Sequence, residues 1–209
     1  NYIGSNSITA LCKTTDKSRL IVGTDNDGIY LLDKNYNFLQ HLSQDENPDV
    51  PPTVMCLFED SNKKVWIGSY LSGISLFDSQ TNRLSKISLQ NNEGNEIKKV
   101  YSFVEDPHKR LRIGTMGTGL YYADLPGSSD SYQHIKVHQV LSEKTINQWI
   151  NTLLYIPDGR LYVGTYDGIK CIDTQNLKVT GNEKALIGLS INTIAQGPDN
   201  HIWVGTPEG

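Results

Sequence analysis

The residues of this sequence that could carry out acid–base chemistry are a few paired carboxylates. Two acidic pairs, Glu59-Asp60 and Glu105-Asp106, have the composition of a general acid and a general base. Both pairs stand at the same place, where an apolar run enters a polar turn. Because the same position recurs, we interpret the pairs as turn caps and not as catalytic residues.

Other motifs with chemical potential are weak. His134 and His138 lie four residues apart, which on a strand places them on one face about 13 Å apart, too far for one metal ion. The segment GTMGTG (114–119) has the glycines of a phosphate loop, but strand-like runs flank it on both sides. The three cysteines lie in apolar runs, where a thiol packs as a small hydrophobe: Cys12, Cys56 and Cys171. We therefore predict no catalytic residue, no metal and no cofactor.

The elements that must position any functional residue are repeated along the chain. A Gly-Thr or Gly-Ser dipeptide, or its equivalent, follows an apolar run at intervals of about 41 to 50 residues, which is typical of repeat proteins. The repeated glycines are Gly23, Gly68, Gly114, Gly164 and Gly205. The apolar residues alternate or form short β-branched and aromatic runs bounded by Gly, Pro, Asn and Asp, which predicts strands.

Each repeat divides into four predicted strands, which is the pattern of a β-propeller blade. We predict an all-β fold with four complete four-stranded blades and a partial fifth, the chain (1–209) being part of a larger propeller. The repeats span about 6–51, 52–97, 98–147, 148–188 and 189–209. In the third blade, the outer strand is predicted at 132–141. The glycine after the second strand fits a place where neighbouring blades crowd.

A recurrent aromatic position precedes that glycine. It holds Trp66, Tyr162 and Trp203, and we predict that these residues pack between blades.

The repeat also resembles a known family. The segments INTLLYIPDGRLYVGTYDGI (150–169) and INTIAQGPDNHIWVGTPEG (191–209) resemble the two-component regulator propeller repeat. This resemblance implies the extracytoplasmic, periplasmic sensor part of a hybrid two-component protein, many of which respond to glycan breakdown products. It also implies that the remaining blades and a histidine kinase lie elsewhere in the parent protein.

Composition excludes several partners. The 209 residues carry a scattered net charge of −4, without the basic block that nucleic acid attracts. No apolar stretch is long enough to span a bilayer. Because the sequence ends after the second strand of a repeat, we expect open strand edges and self-association through them.

Variable loops are the remaining candidates for function. The loops between second and third strands, and those between blades, lie on the same end of a propeller and differ from repeat to repeat. We predict ligand binding there, with aromatic faces for a sugar ring and polar groups for its hydroxyls. The candidate residues are Asp25, Asn26, Asp27, Tyr70, Met116, Trp149, Tyr166 and Asp167.

Three hypotheses remain open for this loop face. The first is a non-enzymatic sensor that binds a glycan-derived oligosaccharide. The second is a scaffold whose loops hold a protein partner, which a shallow apolar face would favour. The third is a propeller lyase or glycosidase, for which Asp25, Asp27 and Asp167 would be the only acids.

Overall fold

The computed structural model describes residue 4 and residues 7–91, 93–127, 132–133, 135–140, 146–182 and 186–209. These residues form eighteen strands. The first two blades are formed by β1 Ile8–Lys13, β2 Arg19–Thr24, β3 Ile29–Asp33, β4 Phe38–Leu42, β5 Val54–Glu59, β6 Lys64–Ser69, β7 Ile74–Asp78 and β8 Arg83–Ile87. The next two are formed by β9 Val100–Glu105, β10 Arg110–Thr115, β11 Leu120–Asp124, β12 Val137–Val140, β13 Ile150–Ile156, β14 Arg160–Thr165, β15 Gly168–Asp173 and β16 Val179–Asn182. The last sheet pairs β17 Thr193–Gln196 with β18 Ile202–Gly205.

Each complete blade is an antiparallel meander in which consecutive strands are neighbours. Four such sheets and one two-stranded sheet occur, so the predicted four blades and partial fifth are confirmed. Within the described part of the chain, no helix has the length and apolar character needed to cross a bilayer.

The turn between the first two strands of a blade is closed by an aspartate. The Asp60 Oδ1 atom accepts hydrogen bonds from the backbone N–H groups of Asn62 and Lys64, both at 2.9 Å. Asp106 accepts equivalent bonds at 3.0 and 3.2 Å from His108 and Arg110. The interpretation as turn caps is therefore confirmed for the aspartate of each pair, whereas Glu59 Oε2 accepts from the Thr15 N–H of another turn at 2.6 Å.

In the Gly-Thr or Gly-Ser motif, the hydroxyl of the residue after the glycine makes a structural hydrogen bond. In all four complete blades this buried hydroxyl donates to the carbonyl oxygen of the second glycine of the loop, as Thr24 does to Gly28 at 2.9 Å. Gly28 has φ of 68°, and φ is also positive at the equivalent glycines of the other three blades. The hydroxyl thus closes a tight loop that a left-handed residue makes possible.

The repeated glycine before that hydroxyl is required by close packing. A Cβ added to Gly23 would lie 2.5 Å from the Cγ1 atom of Val54, and one added to Gly164 would lie 2.8 Å from the Cγ2 atom of Ile191. Both neighbours are β-branched residues at or near the start of the following repeat. The prediction that these glycines mark a crowded boundary between repeats is confirmed.

The described chain forms two compact units, each with its own core. Unit 1 includes residues within 1–90, 94–100 and 126–135, and unit 2 includes residues within 91–93, 101–125 and 136–209. In unit 1, side chains of the first two blades bury one cluster around Ile21, Val54 and Ile67. In unit 2, Leu120, Ile150 and Val163 are members of the corresponding cluster.

The outer strand of the third blade is shorter than predicted. The prediction covered 132–141, whereas β12 contains Val137–Val140 only. Tyr132 instead belongs to unit 1, where its side chain is 3 % exposed and its hydroxyl donates to Asp60 Oδ2 at 2.6 Å. The prediction for Tyr132 was wrong because its ring is buried in unit 1 and its hydroxyl is bonded to Asp60, although the residue type also suits a strand. His134 lies outside the described residues.

Candidate ligand-binding loops

The loop between β2 and β3 contains the three polar candidates of unit 1. Asp25 and Asn26 are exposed, and Asp27 is half-buried. Asn26 has φ of 65°, a left-handed conformation that asparagine tolerates better than most residues. Thr53 donates its hydroxyl to Asp25 Oδ1 at 3.1 Å, so this carboxylate is already oriented by a neighbouring loop.

A stacked tyrosine and histidine hold Asp27. The Tyr30 hydroxyl donates to Asp27 Oδ2 at 2.6 Å, and His41 Nε2 lies 2.8 Å from the Asp27 carbonyl oxygen. The two rings stack with centroids 4.2 Å apart. Burial, followed by the hydrogen bond to Asp27, raises the pKa of Tyr30, so the hydroxyl stays a donor at neutral pH. Neither ring was a predicted site residue, because their proximity to Asp27 depends on the pairing of β3 with β4.

Tyr70 reaches the same part of unit 1 through Thr53. Its backbone N–H donates to the Thr53 carbonyl oxygen at 3.3 Å, and Thr53 also bonds Asp25. The Tyr70 side chain is 43 % exposed, and the adjacent Leu71 is 57 % exposed. The fold therefore connects Asp25 with Tyr70 through one threonine.

Unit 2 brings three other candidates together. Met116 pairs with Trp149 in an isolated antiparallel bridge, and the Tyr166 N–H donates to the Trp149 carbonyl oxygen at 3.1 Å. The Trp149 and Tyr166 rings meet edge to face, with centroids 5.3 Å apart and an interplanar angle of 78°. Trp149 is 48 % exposed and Tyr166 is 46 % exposed. These two rings are defined here as the aromatic pair.

The aromatic pair is held by its backbone. The Trp149 N–H donates to Asn147 Oδ1 at 2.8 Å. The Gln148 carbonyl oxygen accepts from Gly117 at 2.9 Å and from Gly119 at 3.1 Å. Two loops of unit 2 are thus fixed against each other before any ligand arrives.

Asp167 follows the aromatic pair directly in the chain and is exposed. Its Oδ1 atom accepts a hydrogen bond from the Gly188 N–H at 3.1 Å, and its own N–H donates to Thr165 Oγ1 at 3.0 Å. One carboxylate oxygen is therefore used to fasten the loop at 188. The remaining lone pairs keep acceptor capacity toward solvent.

The recurrent aromatic position differs between the repeats. Trp66 is fully buried and donates its Nε1–H to Asp60 Oδ2 at 2.9 Å. Tyr162 is half-buried, and Trp203 is 66 % exposed in the two-stranded sheet. The burial of Trp66 fits a packing role, whereas Trp203 is exposed on β18, which has one described partner strand. Packing of this position between blades stays a prediction.

An arginine occupies this position in the third blade, which sequence analysis missed. Arg112 is fully buried, and its Nη2 donates to Asp106 Oδ2 at 2.8 Å, as Trp66 donates to Asp60. Its guanidinium carbon lies 5.4 Å from the ring centroid of Tyr122. The signal was available in the alignment of the repeats, since Arg112 stands two residues before Gly114.

Chemically, the loops present fixed acceptors and flat apolar surfaces. Among the described residues, no group of three or more His, Cys, Asp or Glu side chains is arranged to hold a metal ion. The carboxylates of Asp25 and Asp27 already accept bonds from Thr53 and Tyr30. The arrangement is suited to binding a polar ligand that also has an apolar face.

Two segments match a known repeat family. Residues 50–71 and 185–208 match the two-component regulator propeller family. The second segment overlaps the copy at 191–209, while the matched region at 50–71 lies in the second repeat. No curated protein matches the chain.

Solved structures show the same fold. The extracellular domain of a one-component system, BT4673, from B. thetaiotaomicron superposes with a TM-score of 0.79 at 21 % identity. That of a hybrid two-component system, BT3049, from the same organism superposes with a TM-score of 0.78 at 20 % identity. Each match covers 98 % of this chain, which spans 29 % and 26 % of the respective relatives.

The four-stranded sheets and the partial fifth are thus blades of a β-propeller. Two of its segments are similar to two-component regulator propeller repeats.

Proposed function

We propose that this chain is a non-enzymatic ligand-recognition part of the extracytoplasmic sensor of a hybrid two-component signalling protein. Its ligand is a glycan-derived oligosaccharide that binds the variable loops. The proposal is supported by the repeat family and by a fold shared with extracellular domains of one-component and hybrid two-component systems. The remaining blades, the membrane span and the kinase would lie elsewhere in the parent protein, and the loops would face the periplasm.

The aromatic pair is the observation that carries the carbohydrate hypothesis. Sugar rings have apolar C–H faces that pack on aromatic rings, and Trp149 and Tyr166 expose such surfaces side by side. An edge-to-face arrangement keeps both rings fixed, which lowers the entropy lost when a ligand binds. The adjacent Asp167 can accept hydrogen bonds from sugar hydroxyls.

Unit 1 offers a more polar surface of the same kind. Asp25 and Asp27 are acceptors oriented by Thr53 and by Tyr30. Fixed acceptors of this kind are suited to hydroxyl groups, because little rearrangement is needed at binding. The same bonds hold both carboxylates as hydrogen-bond acceptors, which is the role that a binding surface requires of them.

A protein-interaction scaffold is the second candidate. Tyr70 and Leu71 are exposed next to each other in unit 1, at 43 % and 57 %. Adjacent exposed aromatic and aliphatic side chains are typical of the apolar centre of a protein interface. This candidate predicts that Leu71→Ser removes binding of a protein partner while sugars have no effect.

The sensor proposal can be tested with a protein in which Trp149 is the exposed tryptophan. Trp66 is fully buried, so Trp149 and Trp203 are the exposed members of the three tryptophans. In a Trp203→Phe protein, acrylamide should quench chiefly Trp149. A panel of neutral plant, host and microbial oligosaccharides is then screened for protection of this fluorescence, and each hit is measured by calorimetry.

The matched variants are Trp149→Ala and Trp203→Ala, which remove the same exposed side chain from a loop and from strand β18. We expect a bound oligosaccharide to lose at least tenfold in affinity in Trp149→Ala and to be unaffected in Trp203→Ala. Equal affinity in both variants would overturn the assignment to the aromatic pair. The absence of any hit in the panel would favour the scaffold.

A further inference from the structure

A cavity of about 310 Å³ lies within unit 1 on one face of the second blade. This volume is at the lower end of the range of about 300–1,000 Å³ that is usual for small-molecule sites. The lining includes Lys64, Leu76, Asp78, Arg83, Ser85 and Tyr132. None of these residues belongs to the variable loops considered above.

Three adjacent strands and Tyr132 form the cavity. Lys64 lies on β6, Leu76 and Asp78 on β7, and Arg83 and Ser85 on β8. Residues two apart on a strand share a face, so these side chains project toward the same side of the sheet. That side is also the side of Trp66, because Trp66 follows Lys64 by two residues.

Tyr132 covers this face of the sheet. Its ring centroid lies 5.7 Å from that of Trp66, and its hydroxyl donates to Asp60 at 2.6 Å. Asn62 Nδ2 also donates to the Tyr132 hydroxyl at 2.9 Å. The tyrosine is thus anchored by two polar partners, and it turns an open sheet face into a concave one.

Among the described residues, the charges of the cavity leave one cation without a side-chain partner. Lys64 Nζ lies 2.6 Å from Asp78 Oδ2, so these two charges compensate each other. Burial acts to raise the pKa of Asp78, but hydrogen bonds from Lys64 and the Gln80 N–H outweigh it and lower the pKa, which keeps the carboxylate ionised. Within the described part of the chain, the guanidinium of Arg83 has no side-chain partner. A net charge of one positive unit therefore faces the cavity.

A hydroxyl donor accompanies this cation. Ser85 stands two residues after Arg83 on β8 and is half-buried. Its position opposite Leu76 places it beside the apolar floor of the cavity. A guanidinium and a hydroxyl on one side, with an apolar floor and an aromatic wall, can bind a carboxylate and its short carbon chain.

The repeat alone does not create this cavity. Every complete blade places a basic residue of its second strand opposite an aspartate of its third, as Arg110 is paired with Asp124 in blade 3. The Arg110–Asp124 ion pair has side chains that are 33 % and 63 % exposed, whereas Lys64 and Asp78 are 9 % and 21 % exposed. The Lys64–Asp78 pair is therefore the less exposed of the two, and Tyr132 lines the cavity beside it.

We propose that this cavity binds a small hydroxylated carboxylate. The guanidinium of Arg83 pairs with the carboxylate, and the Ser85 hydroxyl donates to it. The ligand hydroxyls bond the Lys64–Asp78 pair, and the carbon chain lies between Leu76 and Tyr132. The site would make the second blade an anion-binding element separate from the aromatic pair.

The test uses calorimetric titration of the whole chain with three probes. Gluconate carries a carboxylate and a hydroxylated chain, sorbitol carries the same number of carbons without the charge, and N-acetylglycine carries a carboxylate on a peptide-like body. We expect gluconate to bind and sorbitol to give no binding heat. Gluconate should bind more tightly than N-acetylglycine, and tighter binding of N-acetylglycine would overturn the role given to the ligand hydroxyls.

Two variants and two controls make the result specific. Arg83→Gln and Ser85→Ala should weaken binding, by about tenfold for the loss of the charge, without unfolding the protein, because neither side chain supports the core. Arg110→Gln removes an arginine from the third blade and should leave gluconate affinity unchanged. Trp149→Ala should also leave it unchanged, which separates this site from the proposed sensor site.

Several results would overturn the proposal. No heat with either carboxylate would show that the cavity has no such ligand. Equal affinity for gluconate and sorbitol would remove the role of charge. Unchanged affinity in Arg83→Gln, measured beside a thermal melt that shows a folded variant, would place any observed binding elsewhere.

Discussion

Replacement of Gly68 by alanine isolates the packing that the repeated glycine allows. A Cβ at this position would lie 2.5 Å from Cys56 Sγ, 2.8 Å from the Val100 carbonyl oxygen and 3.0 Å from Val100 Cγ1. The usual carbon contact distance is about 3.5–4.0 Å, so each neighbour would have to move. The carbonyl oxygen belongs to strand β9 and cannot move by a side-chain rotation.

The expected magnitude follows from this crowding. Forcing one extra carbon into a packed core costs about 1–3 kcal/mol. The lower entropy of an unfolded chain with alanine offsets this by about 0.4–1 kcal/mol. Gly68 is not among the glycines with positive φ, so backbone strain adds nothing. We expect a net loss of about 1–2 kcal/mol of unfolding free energy.

Gly127 provides the matched control. A Cβ there would meet no heavy atom within 4 Å, and its φ is not positive. Gly127→Ala should therefore leave stability within about 0.5 kcal/mol of the wild type. Gly205 should be intermediate, because a Cβ there would crowd only Thr193 Cγ2, at 2.8 Å.

Thermal unfolding followed by circular dichroism measures this series. A loss of 1 kcal/mol corresponds to roughly 2–4 °C in a chain of this size, so Gly68→Ala should melt about 2–8 °C below the wild type. A wild-type melting temperature for Gly68→Ala, or an equal loss in Gly127→Ala, would refute the packing argument.

Four further predictions concern charge, acidity, thiols and assembly. Arg112→Ala should cost about 3–5 kcal/mol by leaving a buried carboxylate without its cation. Arg160→Ala should cost much less, because solvent screens its exposed ion pair, and urea titrations that found equal losses would contradict this. Hydrogen bonds from the Thr14 and Ser18 side chains and the Ser18 N–H lower the pKa of Asp16 from 3.8 to about 2, so its contribution to stability is present above about pH 4 and lost as the pH falls toward 2. Melting curves from pH 7 to 2 should therefore fall less steeply for Asp16→Asn, and parallel curves would count against the effect. Burial raises the pKa of Cys12 to about 11, so at neutral pH its thiol should react with iodoacetamide much more slowly than free cysteine. Rapid labelling of Cys12 in the folded protein, measured by mass spectrometry, would disprove this prediction. Strand β18 has one partner strand among the described residues and carries an exposed tryptophan, so we expect self-association through this edge. Light scattering should then give a mass that rises with concentration, and a constant monomer mass would exclude it.

The local fold was accessible from the sequence because its determinants are close in the chain and repeated. Alternating apolar residues and turn residues predicted the strands, and the period predicted the blades. Repetition also separated structural from functional residues, since Asp60 and Asp106 occupy equivalent positions and both cap turns.

The residues at each site depended on contacts that no local pattern records. Trp149 and Tyr166 were both candidates, but their ring contact results from the path of two loops of unit 2. The stacking of His41 on Tyr30 results from the pairing of β3 with β4, in which a shift of one residue would move each side chain to the other face.

The sequence by itself therefore determined the number of blades, the strand order within each blade and the turns that close them, because these depend on interactions between near neighbours. The tertiary structure alone decided which face of the second blade became a cavity. Tyr132 fits a strand pattern as well as it fits a buried position, and it lies 72 residues from the Asp60 carboxylate that binds it. A contact over that separation is selected by the burial of a ring and by the pairing of its hydroxyl, and both exist only after the sheet has formed.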